Sequence, residues 1–130
     1  ADVLESTAWL LKPSGRVVIV MFHPCFRIPR QSGWGWDEHR KLQYRRVDSY
    51  LTPQTVPVRP VARGRPGAIM AHHWPLETYV NGLASVGFRI DRMIEVPAYP
   101  GIVRTGRNSK AENRANREIP LLLGLRAQRP

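Results

Sequence analysis

The sequence predicts an α/β domain, and three observations carry that reading: a helical stripe that stops at a Pro-Ser-Gly turn, an unbroken β-branched apolar run directly after it, and a later helix-then-strand succession closed by a second apolar run. Val3, Leu4, Thr7, Ala8 and Leu11 recur at helical spacing over Ala1–Lys12. Pro13 biases Lys12 out of the α region and Gly15 tolerates the φ > 0 of a turn, so the helix is expected to end near Lys12. Val17 to Phe22 shows no polar alternation, which predicts a strand covered on both faces, as in the parallel part of an α/β sheet. Pro24 cannot donate to a ladder and ends that strand at Phe22 or His23. In open α/β sheets ligands bind beyond the carboxyl ends of the strands, which puts His23, Cys25 and Phe26 on an expected site wall.

Residues 27–73 read as an insertion. Pro29, Pro53, Pro57, Pro60 and Pro66, with Gly33, Gly35, Gly64 and Gly67, exclude long helices. The alternation over Leu42–Leu51 and the short stretch Ala68–His72 predict one two-stranded ribbon. A long insertion directly after a site-bearing strand is a lid or a binding loop. Beyond it, Pro75 fits the first position of a helix whose Leu76, Tyr79, Val80 and Leu83 share a face, and Gly87 fits a left-handed stop. Phe88, Ile90, Ile94 and Val96 mark a strand, 98–102 a loop around Pro100-Gly101, and 109–118 an exposed turn of helix at best, since it carries no apolar stripe. Ile119 to Leu125 closes the chain as a buried strand.

Three of these stretches resemble the C-terminal half of a class I S-adenosylmethionine-dependent methyltransferase. Leu-Lys-Pro-Ser-Gly-Arg leading into Val-Val-Ile-Val-Met and His-Pro-Cys-Phe is similar to that family's helix into its fifth strand. His73-Trp74-Pro75-Leu76-Glu77-Thr78-Tyr79-Val80-Asn81-Gly82-Leu83 with Gly87-Phe88-Arg89-Ile90 is similar to its late helix and the following strand, and Glu118 to Ala127 to its closing strand. The resemblance implies a partial Rossmann-like methyltransferase sheet, its last three strands, with 27–73 as a lid over the acceptor substrate. It also implies methyl transfer from S-adenosylmethionine to a small-molecule acceptor once an N-terminal half is present. The family's glycine-rich loop after its first strand and the acidic residue ending its second have no counterpart here; Gly33-Trp34-Gly35 lacks a third glycine and a preceding apolar strand. Cofactor-binding residues are therefore not identified within residues 1–130. Beginning at Ala1 inside a helix, without methionine, fits a chain that something precedes. One edge of the Val17–Phe22 strand is then expected to lie open, to be paired by the missing half or by self-association.

Composition fits one domain over residues 1–130, long enough to bury roughly 60% or more of its unfolded surface. No apolar run approaches the ~18 residues of a membrane span, nothing at the N-terminus has a signal peptide's pattern, and Cys25 is the sole cysteine, so the expected location is cytoplasmic and no intrachain disulfide can form. The net charge of +10 raises a second reading, a non-catalytic basic module that binds RNA or a protein partner. Trp34, Trp36, Tyr44 and Tyr50 among arginines would stack bases; against this, the charge is spread, and Arg45-Arg46 is its densest pair.

Methyl transfer requires an acceptor oxygen or nitrogen that is unprotonated and aimed in line, so His23 at the strand end is the candidate catalytic base, or else a turn residue satisfying a backbone group. Phe26, Trp34, Trp36 and Tyr44 are candidate walls for a planar acceptor, or ordinary packing of a lid. His72 and His73 precede a helix N-terminus; one is expected to face the pocket and the other solvent. A lone cysteine without paired ligands argues against a zinc site, and no cationic helix start stands beside Cys25 to make it a nucleophile.

Overall fold

In the computed structural model, residues 2–58, 69–98 and 104–130 are described. Helix α1 (Asp2–Leu10) leads into strand β1 (Arg16–Phe22). The turn between them is left-handed at Ser14 (φ 64°) rather than at Gly15, where the missing Cβ matters instead, because a Cβ there would sit 2.7 Å from the Lys12 carbonyl oxygen. Arg129 fastens this turn: its backbone N–H donates to Gly15 O (2.9 Å) and its guanidinium donates to Ala8 O (2.6 Å) and Leu11 O, taking up carbonyls that the end of α1 leaves free.

Helix α2 (Leu76–Ser85), strand β6 (Arg89–Pro97), helix α3 (Ser109–Glu118) and strand β7 (Pro120–Gln128) complete the α/β frame, the labels β2–β5 belonging to the insertion. Pro75 precedes α2 as its cap residue rather than lying inside it. At the other end Gly87 (φ 86°) stops the helix, with Gly87 N–H donating to Ala84 O and Phe88 N–H to Leu83 O, both at 3.0 Å. This is the double bond of a Schellman stop, accompanied by burial of both Leu83 and Phe88.

The sheet runs β1-β7-β6, and β7 is antiparallel to both neighbours, from Val17↔Ala127 to Phe22↔Leu122 on one side and from Arg89↔Gln128 to Pro97↔Pro120 on the other. β1 and β6 therefore point the same way and end at the same edge. Val17, Ile19 and Met21 of β1, with Leu123, Leu125 and Ala127 of β7, face α1 and α2, whose Leu4, Ala8, Tyr79 and Leu83 close the core with Phe88 and with Leu11 just beyond α1. The expectation of a strand covered on both faces is corrected here. Val18, Val20 and Phe22 are 65, 64 and 66% exposed, while α1 and α2 pack against the opposite face. The strand paired with β1 is antiparallel, and among the described residues the other edge of β1 has no partner, in line with the expected open edge.

The insertion also departs from the expected single ribbon. It forms two hairpins: β2 (Ser32–Asp37) pairs with β3 (Leu42–Val47), and β4 (Gln54–Val58) with β5 (Ile69–His73). Alternation located β3 but not its partner, because the Gly-containing β2 carries little strand propensity of its own. The segment 109–118, expected to be a turn at best, is a full helix that buries Ala115 and packs on β3 and β6. The expected loop at Pro100-Gly101, the glycines and prolines of 60–67 and Ala68 lie outside the described residues.

Candidate functional site

The shared carboxyl edge of β1 and β6 holds the most buried polar group of this face. His23 N–H donates to Leu121 O (2.9 Å), extending the β1–β7 ladder one residue, and the chain then turns, with Phe26 N–H and Arg27 N–H both donating to His23 O. This leaves the imidazole 2% exposed and aimed across the sheet, its Nε2 2.8 Å from Oε1 of Glu95 on β6. Cys25 N–H donates to Nδ1 at 3.2 Å, so Nδ1 carries the lone pair and Nε2 carries the proton given to Glu95. Both ring nitrogens are engaged, and the ring has no lone pair left with which to accept a proton directly. Its neighbour Glu95 keeps a side chain 52% exposed at the same edge. The Phe26 ring lies 4.8 Å from that of His23. Sequence reasoning does not reach Glu95, because in a strand that also carries Arg89, Asp91 and Arg92 one more charge stands out in no way.

A second knot ties the insertion to this edge. The Tyr50 hydroxyl accepts from Leu76 N–H (2.9 Å), one of the free donors at the start of α2, and lies 3.7 Å from the Cys25 thiol. Burial pushes the Tyr50 phenol up from its ordinary pKa. His73, 3% exposed, donates from Nε2 to Tyr50 O at 2.7 Å, and its ring packs beside the tyrosine at 6.0 Å. His73 thus serves a backbone carbonyl inside the protein. His72 lies at the surface, hydrogen-bonded to Thr55 Oγ1 (3.0 Å) and stacked on Trp74 at 5.5 Å.

The aromatic candidates do not form one wall. Trp34 and Trp36 share a face of β2, whereas Tyr44 sits opposite Gly35 and so belongs to the other face. Trp34 lies under two guanidinium groups, Arg27 at 4.9 Å and Arg45 at 5.1 Å from its centroid. These arginines are anchored by backbone: Arg27 Nε donates to Pro120 O (3.2 Å) and Arg45 Nε to Phe26 O (2.7 Å). Burial, helped by the neighbouring Arg45 charge, lowers the Arg27 pKa to about 10. Further along the same face, Trp36 lines a cleft of about 560 Å³ between the β2–β3 turn and α3. Among the described residues no three histidine, cysteine or acidic side chains gather as a metal site, and no helix is long and apolar enough to cross a membrane.

The described frame is thus a three-stranded sheet with a reversed central strand, α1 and α2 on one face and polar groups at one strand edge. Solved structures carry the same fold. A Listeria monocytogenes protein assigned as an S-adenosylmethionine-dependent methyltransferase matches with a TM-score of 0.68 and 23% identity over 99% of this chain and 54% of its own. The S-adenosylmethionine-dependent methyltransferase of Mesorhizobium loti matches with 0.65 and 24% identity over 98% of this chain and 54% of its own. The chain shares its fold with part of each structure and spans just over half the length of either. No family model matches the sequence, and neither does any curated protein.

Proposed function

We propose that this chain is the acceptor-side half of an S-adenosylmethionine-dependent methyltransferase acting on a small molecule. The observation that carries the reading is the β1-β7-β6 order, which superposes along nearly the whole chain on half of two such proteins. The described residues do not fit the cofactor by themselves: their positive-φ glycines, Gly87 and Gly106, stop α2 and lead toward α3, and Gly33 and Gly35 are inside β2, so none forms a strand-to-helix cradle. The cofactor, which would supply the methyl group, belongs with the rest of the domain.

On this reading the chain's own contribution is the strand edge. His23 is a positioning residue that holds Glu95 by one hydrogen bond, and Glu95, with one side in solvent, takes the proton from an acceptor hydroxyl or amine. Phe26 lines the same edge and His73 ties the insertion to Tyr50, while Trp34 carries the Arg27 and Arg45 guanidinium groups, Trp36 lines the cleft beside α3, and Tyr44 and His72 lie at the surface. The test is transfer of labelled methyl from S-adenosylmethionine by the protein completed with the rest of its domain, offered a cell extract. Label is expected in the small-molecule fraction, to fall about 10²-fold or more in Glu95→Gln with cofactor affinity unchanged. Label found only in protein or RNA, or a Glu95→Gln variant with full turnover, would refute the assignment.

A further inference from the structure

The cleft lined by Trp36 is walled mainly by positive charge. Lys110, Arg114 and Arg117 follow one another at i, i+4 and i+7 along α3 and so share one face of the helix, and Arg107 precedes them; Arg40 and Lys41 face them from the β2–β3 turn. Among the described residues Glu38 is the one acid in the lining, and it is already committed, accepting from Trp36 Nε1 at 2.6 Å and pairing with Lys41. These two hydrogen bonds hold the Glu38 carboxyl below its ordinary pKa. Among the described residues Arg40, Arg107, Lys110, Arg114 and Arg117 have no carboxylate within salt-bridge reach.

Such an arrangement costs stability when empty. Like charges at i,i+4 repel, and Lys110 stands in the first turn of α3, at the positive end of the helix dipole. A bound anion turns each of these penalties into an attraction. The lysine and arginines of α3 span roughly 10 Å at 1.5 Å per residue, and a cleft of about 560 Å³ is of the size that takes small molecules. The indole of Trp36, held in place by Glu38, offers a flat apolar surface beside the cations.

We infer that this cleft binds a compact molecule carrying several negative charges and a planar ring, of the class of a nucleoside polyphosphate. An extended RNA track is less well supplied by the same hairpin, since its densest pair is spent: Arg46 pairs with Asp48 at 2.9 Å, and Arg45 is bound to Phe26 O and Trp34.

Calorimetry on the protein at physiological salt tests the inference with three probes: inorganic tripolyphosphate, ATP and a single-stranded RNA of about twelve nucleotides. ATP is expected to bind saturably with a Kd of roughly 1–100 µM, and tripolyphosphate several-fold more weakly because it lacks a ring for Trp36. Lys110→Glu with Arg114→Glu, both on an exposed helix face, should weaken ATP at least tenfold; Arg40→Glu on the opposite wall should do the same independently, and Arg92→Glu on the sheet should leave it unchanged. No saturable binding of ATP, equal affinity in the wall variants and Arg92→Glu, or RNA binding more tightly than ATP through the same residues would overturn the inference.

Discussion

His23 shows how one side chain can be placed by sequence and redefined by geometry. Its position after an apolar run and before Pro24 marks a strand end, which sequence alone reveals. Its working state is set by two contacts, one from Cys25 N–H two residues away and one to Glu95 seventy-two residues away, and only the fold brings the second within 2.8 Å. No local pattern marks Glu95, because an acid on a strand edge has the same spacing whether it faces water or a histidine. The tyrosines give a residue-level prediction with a fixed sign. Burial pushes the Tyr79 phenol up from its ordinary value of 10.0, against a weaker downward pull from the Trp74 backbone N–H. The unfolded chain therefore loses its proton first as pH rises, so this contribution to stability is complete below about pH 10 and disappears as pH climbs through the folded-state value. Urea melts between about pH 9 and 11 should show stability falling in the parent and falling less in Tyr79→Phe; identical slopes would remove Tyr79 as a cause.

Among the elements, the hairpins and α3 are where sequence and structure part. The alternation of Leu42 to Val47 was legible, but strand pairing is a property of two segments. Gly35, a poor strand residue alone, works because the Tyr44 ring opposite covers it: a Cβ at Gly35 would lie 2.3 Å from Tyr44 Cζ. Gly35→Ala must therefore displace that ring, and a loss of about 1–3 kcal/mol is expected by denaturant melts. A gain instead, of the kind expected when a glycine in an unstrained strand is replaced, would mean the ring is not seated there. α3 was illegible for a different reason. It buries little beyond Ala115, and its free face is basic, so no apolar stripe announces it. The succession of α2, Gly87 and β6 was readable because each signal is local: a proline before, an apolar face within and a glycine stop behind.

At the scale of the whole molecule, the sheet is half clothed. α1 and α2 cover one face, while Val18, Val20 and Phe22 on the other, together with the edge of β1 that has no partner among the described residues, offer apolar surface and unpaired backbone side by side. α1 adds Trp9 and Leu10, 83 and 72% exposed. A run without alternation reads the same whether its second cover comes from the chain or from elsewhere; only the absence of an N-terminal half in the sequence pointed to a bare side. The 130-residue chain alone is expected to self-associate in light scattering at low micromolar concentration, and Val20→Glu to shift it toward monomer; a compact monomer unaffected by that change would mean the face needs no partner. The acceptor-side account is tested most directly by calorimetry of S-adenosylmethionine against this chain alone and against the chain joined to the rest of its domain. The account predicts no saturable binding by the chain alone below about 100 µM and binding at roughly micromolar Kd once the domain is complete. Submicromolar binding by the 130-residue chain alone would contradict it.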